Sequence, residues 1–193
     1  MPEPIRECVH VYPPLIIIDA DFSMTPPHAK TWAPRGRTSV VRVRGCSRRR
    51  ISIAALTCHK TGHRSRLIYR HRRDDGNSDG RKSFSWRDYR DLLIAAHQQL
   101  DGQIVLIWDN LNVHKAAGLR EFAETRDWLI PPTTCRPTHP TSTPVEGIWS
   151  LLRRGWLSNV GFSTPEHLVQ TVRRGLRHIQ CRSHLIDGCP RPA

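Results

Sequence analysis

Lysine is scarce in this chain of 193 residues: Lys30, Lys60, Lys82 and Lys115 are all there is, among 30 basic residues. Arginine carries nearly all the positive charge, a bias that points to GC-rich coding DNA. Acids are few as well, 17 in total, so the formal net charge is +13 and the natural partner is a polyanion rather than a cationic molecule. No apolar run approaches the roughly 18 residues of a membrane span. The opening MPEPIRECVHVYPPLIII has acids where a secretory signal needs a basic stretch, which argues against secretion and for a cytoplasmic protein. None of the cysteines, Cys8, Cys46, Cys58, Cys135, Cys181 and Cys189, stands in a CxxC pair. Reduced thiols fit that pattern better than a zinc site or a disulfide framework. A Gly-rich phosphate loop and a Ser-His-Asp arrangement are also missing. Apolar residues, at 38%, still suffice for one core.

Periodicity gives the order of elements. Leu15 to Ile18 is an apolar run closed by Asp19, as in a buried strand that ends at a site. Arg37 to Arg44 alternates, with Val41 and Val43 on one side and Arg42 and Arg44 on the other, the period of a half-buried strand. Ile51–Leu56 and Leu67–Tyr69 read as further strands, and Asp74 to Lys82 as a mobile polar loop. Ser85 to Asp88 has capping-box form before Trp86, Tyr89, Leu93, Ala96 and Leu100 at helical spacing. Ile104–Trp108 is a second apolar run closed by an acid, Asp109. A helix over about 116–125 follows, then a proline-rich stretch, Pro131 to Pro144, without periodicity. Thr143-Pro144-Val145-Glu146 and Ser163-Thr164-Pro165-Glu166 each open a helix. Strands followed by alternating helix and strand make an α/β protein with one mixed sheet. Trp32, Trp86, Trp128, Trp149 and Trp156 read as core or shelf residues rather than base-stacking platforms.

Two strand-end acids and one helix acid stand out. Each alone has a plain explanation: Asp19 as a solvated loop acid, Asp109 as the start of a turn, Glu146 as a capping partner. Together, in a basic chain, they suggest carboxylates converging on hard divalent cations, because buried like charges need such compensation. Two metals about 3.5–4 Å apart serve phosphodiester chemistry.

IVLIWDNLNVHK (104–115) resembles the second catalytic strand of bacterial insertion-sequence transposases of the mariner-like DDE type. TPVEGIWSLLRR (143–154) resembles the third block of that family, and FSMTPPHAKTWAPRGRT (22–38) the stretch after its first acid. The resemblance runs over about residues 15 to 187. It implies a ribonuclease-H-like (retroviral-integrase-like) fold, two Mg²⁺ or Mn²⁺ ions, and DNA strand cleavage and joining at element ends. Carried over residue by residue, Asp109 is the second acid and Glu146, 37 residues further on, the third. For the first, a gapless count back from Phe22 puts Ile18 at the catalytic position. One deletion restores Asp19, the preferred first acid, with Asp21 as the alternative.

The family usually carries a segment like YHLPPYAPDLNP before its third block, where this chain has TTCRPTHPTSTP (133–144). With GC-rich codons, Pro132 to Pro144 read in the shifted frame gives that family text. A pair of compensating frameshifts, near Ile130 and just before Val145, accounts for this, and codons that cannot yield the shifted text would refute it. An altered loop before Glu146 puts activity in more doubt than ancestry, so the alternative function is a damaged remnant that only binds DNA non-specifically.

For DNA contact the candidates are Arg48, Arg49 and Arg50, His114 and Lys115 after the second acid, and Arg153 and Arg154 on a helix; a solvated surface is the plainer role of each. The expected organisation is a ragged remnant over 1–13, a catalytic domain over 14–187 and a tail over 188–193. Full family members place helix-turn-helix modules ahead of this domain, so an N-terminally truncated, nucleoid-associated protein is expected. Homodimerisation follows from the family's need to handle two element ends together.

Overall fold

A computed structural model describes residues 14–43, 49–59, 62–74, 83–108, 116–134 and 144–189. Five strands form one sheet: β1 (Pro14–Ser23), β2 (Arg50–Cys58), β3 (Arg66–Asp74), β4 (Ile104–Trp108) and β5 (Leu129–Thr134). Their spatial order is β3-β2-β1-β4-β5. β1, β2 and β3 pair antiparallel, whereas β4 runs parallel to β1 and to β5. The helices are α1 (Trp86–Leu100), α2 (Ala117–Glu124), α3 (Pro144–Leu152), α4 (Pro165–Gln180) and α5 (Ser183–Asp187). A π-helical turn, Arg153–Leu157, continues α3. No helix among the described residues is long and apolar enough to cross a membrane.

Each face of the sheet buries its own core. One contains Ile17, Ala54, Leu56, Leu93, Leu106 and Leu119, and is closed by α1 and α2. The other contains Phe22, Ile51, Ile53, Ile107, Trp149 and Leu176, and is closed by α3, the π turn, α4 and α5. β2 is buried almost throughout because it has a strand on each side and helices above and below. Local signals explain the helices. Ser85 N donates to Asp88 Oδ2 (2.8 Å) at the start of α1. Thr164 Oγ1 accepts from His167 N (3.1 Å), with Pro165 in the first turn of α4.

The structure corrects four expectations. Residues 37–43 form no strand; they are exposed and irregular. β2 has both edges taken, by β1 and β3, so an alternating segment ahead of it finds no ladder there. β5 lies in the proline-rich stretch and was not expected. It is an edge strand, and its register with β4 shifts between Val105 and Ile107, opposite Pro131 and Pro132, where prolines are tolerated. Trp32 is not a core or shelf residue but 99% exposed. Cys189, placed in the tail by the sequence, is buried in the second core, close to Gly147. Residues 44 of the expected strand, 75–82 of the expected loop, and Cys8, Cys46 and Cys135 lie outside the described residues; Cys58, Cys181 and Cys189 are free thiols.

Candidate active site

β1 and β4 lie side by side and parallel at the centre of the sheet, with antiparallel strands beyond β1 and a parallel one beyond β4. Crevices beyond the carboxyl ends of such neighbouring strands are where open α/β sheets place their sites. The last registered pair between them is Ile16 with Ile107, and β1 runs on to Ser23 against β2 alone. Asp19 therefore stands three residues past that pair, beside Ala54 of β2. Asp109 follows β4 directly and lies outside the described residues, as do Arg48, His114 and Lys115. Glu146 is the third residue of α3.

The two sheet faces divide these acids. α3 covers the face of Phe22, through an edge-to-face contact of that ring with Trp149 (5.9 Å between centroids). Asp19 alternates with Ala20 and Phe22, and so belongs with Ile17 and Ala54 on the α1–α2 side. Both of its carboxylate oxygens are buried. The pairing of β1 with β2 is unbroken from Leu15 to Ser23, so no bulge turns Asp19 to the other face. Asp21 shares the face of Asp19. It accepts a hydrogen bond from Ser52 Oγ and faces Arg50 Nη1 at 3.8 Å.

Arg50, expected at a DNA phosphate, is held between two carboxylates, since its Nε also meets Asp74 Oδ2 at 3.2 Å. Arg49 and Arg154 are exposed. Arg153 projects from the π turn, its guanidinium 5.8 Å from the centre of the Phe22 ring. Asp21, Phe22, Thr25, Pro27, Arg153 and Phe162 are among the residues around a cavity of about 170 Å³ at the carboxyl end of β1. The π turn was not singled out in the sequence, because a π turn has no local signature there; it packs against α4. Among the described residues, no three His, Cys, Asp or Glu side chains are grouped to hold a metal. In donor chemistry, carboxylates on separate elements fit Mg²⁺ or Mn²⁺; in placement, Asp19 is on the face away from α3.

The DDE superfamily endonuclease family matches residues 14–169. Among curated proteins none matches by sequence. The fold is similar to the Mos1 strand transfer complex, with TM-score 0.57 and 14% identity over 98% of this chain and 58% of that one. It is similar to the mariner Mos1 paired end complex with Mg, with TM-score 0.57 and 14% identity over 94% of this chain and 57% of that one. The catalytic domain of Mos1 mariner transposase gives TM-score 0.53 and 12% identity over 96% of this chain and 84% of that domain. The chain thus spans less than two thirds of the chains in the two complexes and most of the isolated catalytic domain. Family match and strand order agree on a ribonuclease-H-like fold: this chain belongs to the DDE superfamily endonucleases and has the architecture of a transposase catalytic domain.

Proposed function

We propose that the chain is the catalytic domain of a bacterial insertion-sequence transposase that cuts and rejoins DNA at element ends. The observation that carries this reading is the family match from β1 into the start of α4, residues 14–169, together with the β3-β2-β1-β4-β5 order that sets β1 and β4 side by side. Asp19, Asp109 and Glu146 are the acids assigned to two Mg²⁺ or Mn²⁺ ions. Solved Mos1 complexes named with Mn and with Mg support the metal class. When bound, the metals supply an activated oxygen nucleophile and a neutralised leaving oxygen. This chain's own residues supply the rest. In this reading Asp19 comes from β1 and Asp109 from the residue that follows β4. α3 brings the third from the neighbouring layer, fixed by the buried Trp149 and Leu152. Arg153, Arg154 and Arg49 set positive charge around the crevice, which holds the phosphate backbone without reading sequence. The partners are element-end and target DNA and a second copy of the chain, in the cytoplasm at the nucleoid.

The reading is tested by incubating the protein with a supercoiled plasmid and an element-end oligonucleotide in Mg²⁺ or Mn²⁺. Nicking and joined products are expected, and both should fall at least a hundredfold in Glu146→Gln while DNA retention on a gel persists. Equal product from Glu146→Gln contradicts the assignment.

A second reading is a non-catalytic remnant that only binds DNA. One observation favours it: the unbroken β1–β2 pairing leaves Asp19 on the sheet face opposite α3. Wild-type protein that retains DNA but yields no product in either metal is the outcome this reading predicts.

A further inference from the structure

Between Asp21 and Asp74 the chain contains no acid at all. The part of this interval that leaves the sheet, residues 24–43, carries Lys30, Arg35, Arg37 and Arg42 together with Trp32, whose side chain is 99% exposed. Single exposed aliphatic residues need no explanation, but a wholly solvated indole exposes a large apolar surface that folding could otherwise bury.

The segment is not loose at its roots. Ala29 is clamped by Asn159: the Asn159 Nδ2 group donates to Ala29 O (2.9 Å), Ala29 N donates to Asn159 Oδ1 (3.2 Å), and Asn159 N donates to Pro27 O (3.2 Å). Asn159 adopts φ +59 to do this, a left-handed conformation in which asparagine is among the least strained side chains. The other root rests on Gly161, where a Cβ would stand 2.8 Å from Arg42 O, so only glycine lets the loop backbone approach so closely. Both roots thus sit on the same short stretch, 159–161, directly after the π turn. Between them Arg37 N donates to Pro34 O (3.0 Å), closing a turn whose third residue, Gly36, has φ +79. The result is a loop pinned at both ends, stiffened by Pro34, and holding an indole and several cations out to solvent.

We infer that residues 29–42 form a grip for an unpaired stretch of DNA, with Trp32 stacking on a nucleobase and Lys30, Arg35, Arg37 and Arg42 neutralising the adjoining phosphates. Any base offers a π face to an indole, so this grip is indifferent to sequence. Duplex DNA hides its base faces in the stack and cannot satisfy Trp32. A second copy of the loop is a poorer occupant, because a symmetric pair would bring four cations against four with no acid between them. The location suits the role. The roots lie at Pro27, which lines the cavity at the carboxyl end of β1, so a strand opened at that crevice can pass directly to the loop. The inference rests on the proposal that this chain acts on DNA, and it adds that the strand is held single-stranded.

Labelled oligo(dT) and a duplex of equal length, titrated by fluorescence anisotropy with the whole chain and with Trp32→Ala and Trp32→Phe, test it. The full exposure of Trp32 makes both variants safe for folding, which circular dichroism checks. Trp32→Ala should weaken oligo(dT) binding about tenfold, the scale of one lost base stack. Duplex affinity should change less than twofold, and Trp32→Phe should restore part of the loss. Oligo(dT) affinity unchanged in Trp32→Ala, or an equal loss on both ligands, overturns the grip while leaving DNA action intact. Failure of the wild-type chain to bind either ligand overturns both the grip and the DNA reading.

Discussion

Gly175 shows how closely one residue controls the placement of α3. A Cβ there would run into Leu152 Cδ1 and come within 3.0 Å of the Trp156 ring, so α4 passes the end of α3 and the π turn at backbone distance. Gly175→Ala should therefore destabilise the fold through overpacking by about 1–3 kcal/mol, despite the better helix propensity of alanine. Urea unfolding checks this: the midpoint falls with its slope unchanged. An unchanged midpoint would mean that α4 does not seat against Leu152 as described. At the same scale, Asp19 marks a limit of sequence reading. An apolar run closed by an acid is visible, but which face the acid takes depends on whether the strand stops there. β1 continues four residues further because β2 offers it an unbroken partner as far as Arg50. Only that pairing reveals Asp19 on the α1–α2 side.

Among elements, the helices were the most legible, because their start signals are local. Ser85 with Asp88 and Thr164 with Pro165 fix α1 and α4 within a turn of where caps and spacing put them. The Thr164 cap is testable: Thr164→Ala removes the acceptor for His167 N and should cost about 1 kcal/mol in thermal or denaturant unfolding. No loss would mean that water or Glu166 replaces it fully. Strands were less legible because a strand exists only with a partner. The alternation of Val41 and Val43 satisfies the period of a strand, but β2, the next strand in the chain, is already paired on both sides. The reverse holds for β5, whose Pro131 and Pro132 break every local rule, yet whose position beside β4 at the sheet edge accommodates them with a register shift.

For the whole molecule, the resemblance in three short blocks carried further than composition did. Composition pointed to a polyanion partner; the blocks gave the family, and the sheet order gave the same fold. What remained hidden was three-dimensional. Arg50 is spent between Asp21 and Asp74, Trp32 is thrust into solvent, and the two roots of its loop meet on residues 159–161, more than a hundred positions away in the chain. None of these has a signature that spacing or periodicity can detect.

The proposed function requires that Asp19, Asp109 and Glu146 assemble a divalent-metal site on a transposase catalytic scaffold. Its most direct test is a thermal melt of wild type and Asp109→Asn with and without millimolar Mn²⁺. A ligand at about 100 times its dissociation constant stabilises the native state by roughly 2.7 kcal/mol. For a chain of this size that raises the melting temperature by several degrees. Such a rise is expected in wild type and is lost in Asp109→Asn. A cooperative melt that Mn²⁺ leaves unmoved in both proteins would contradict it, and would mark the chain as a folded scaffold without its metal site.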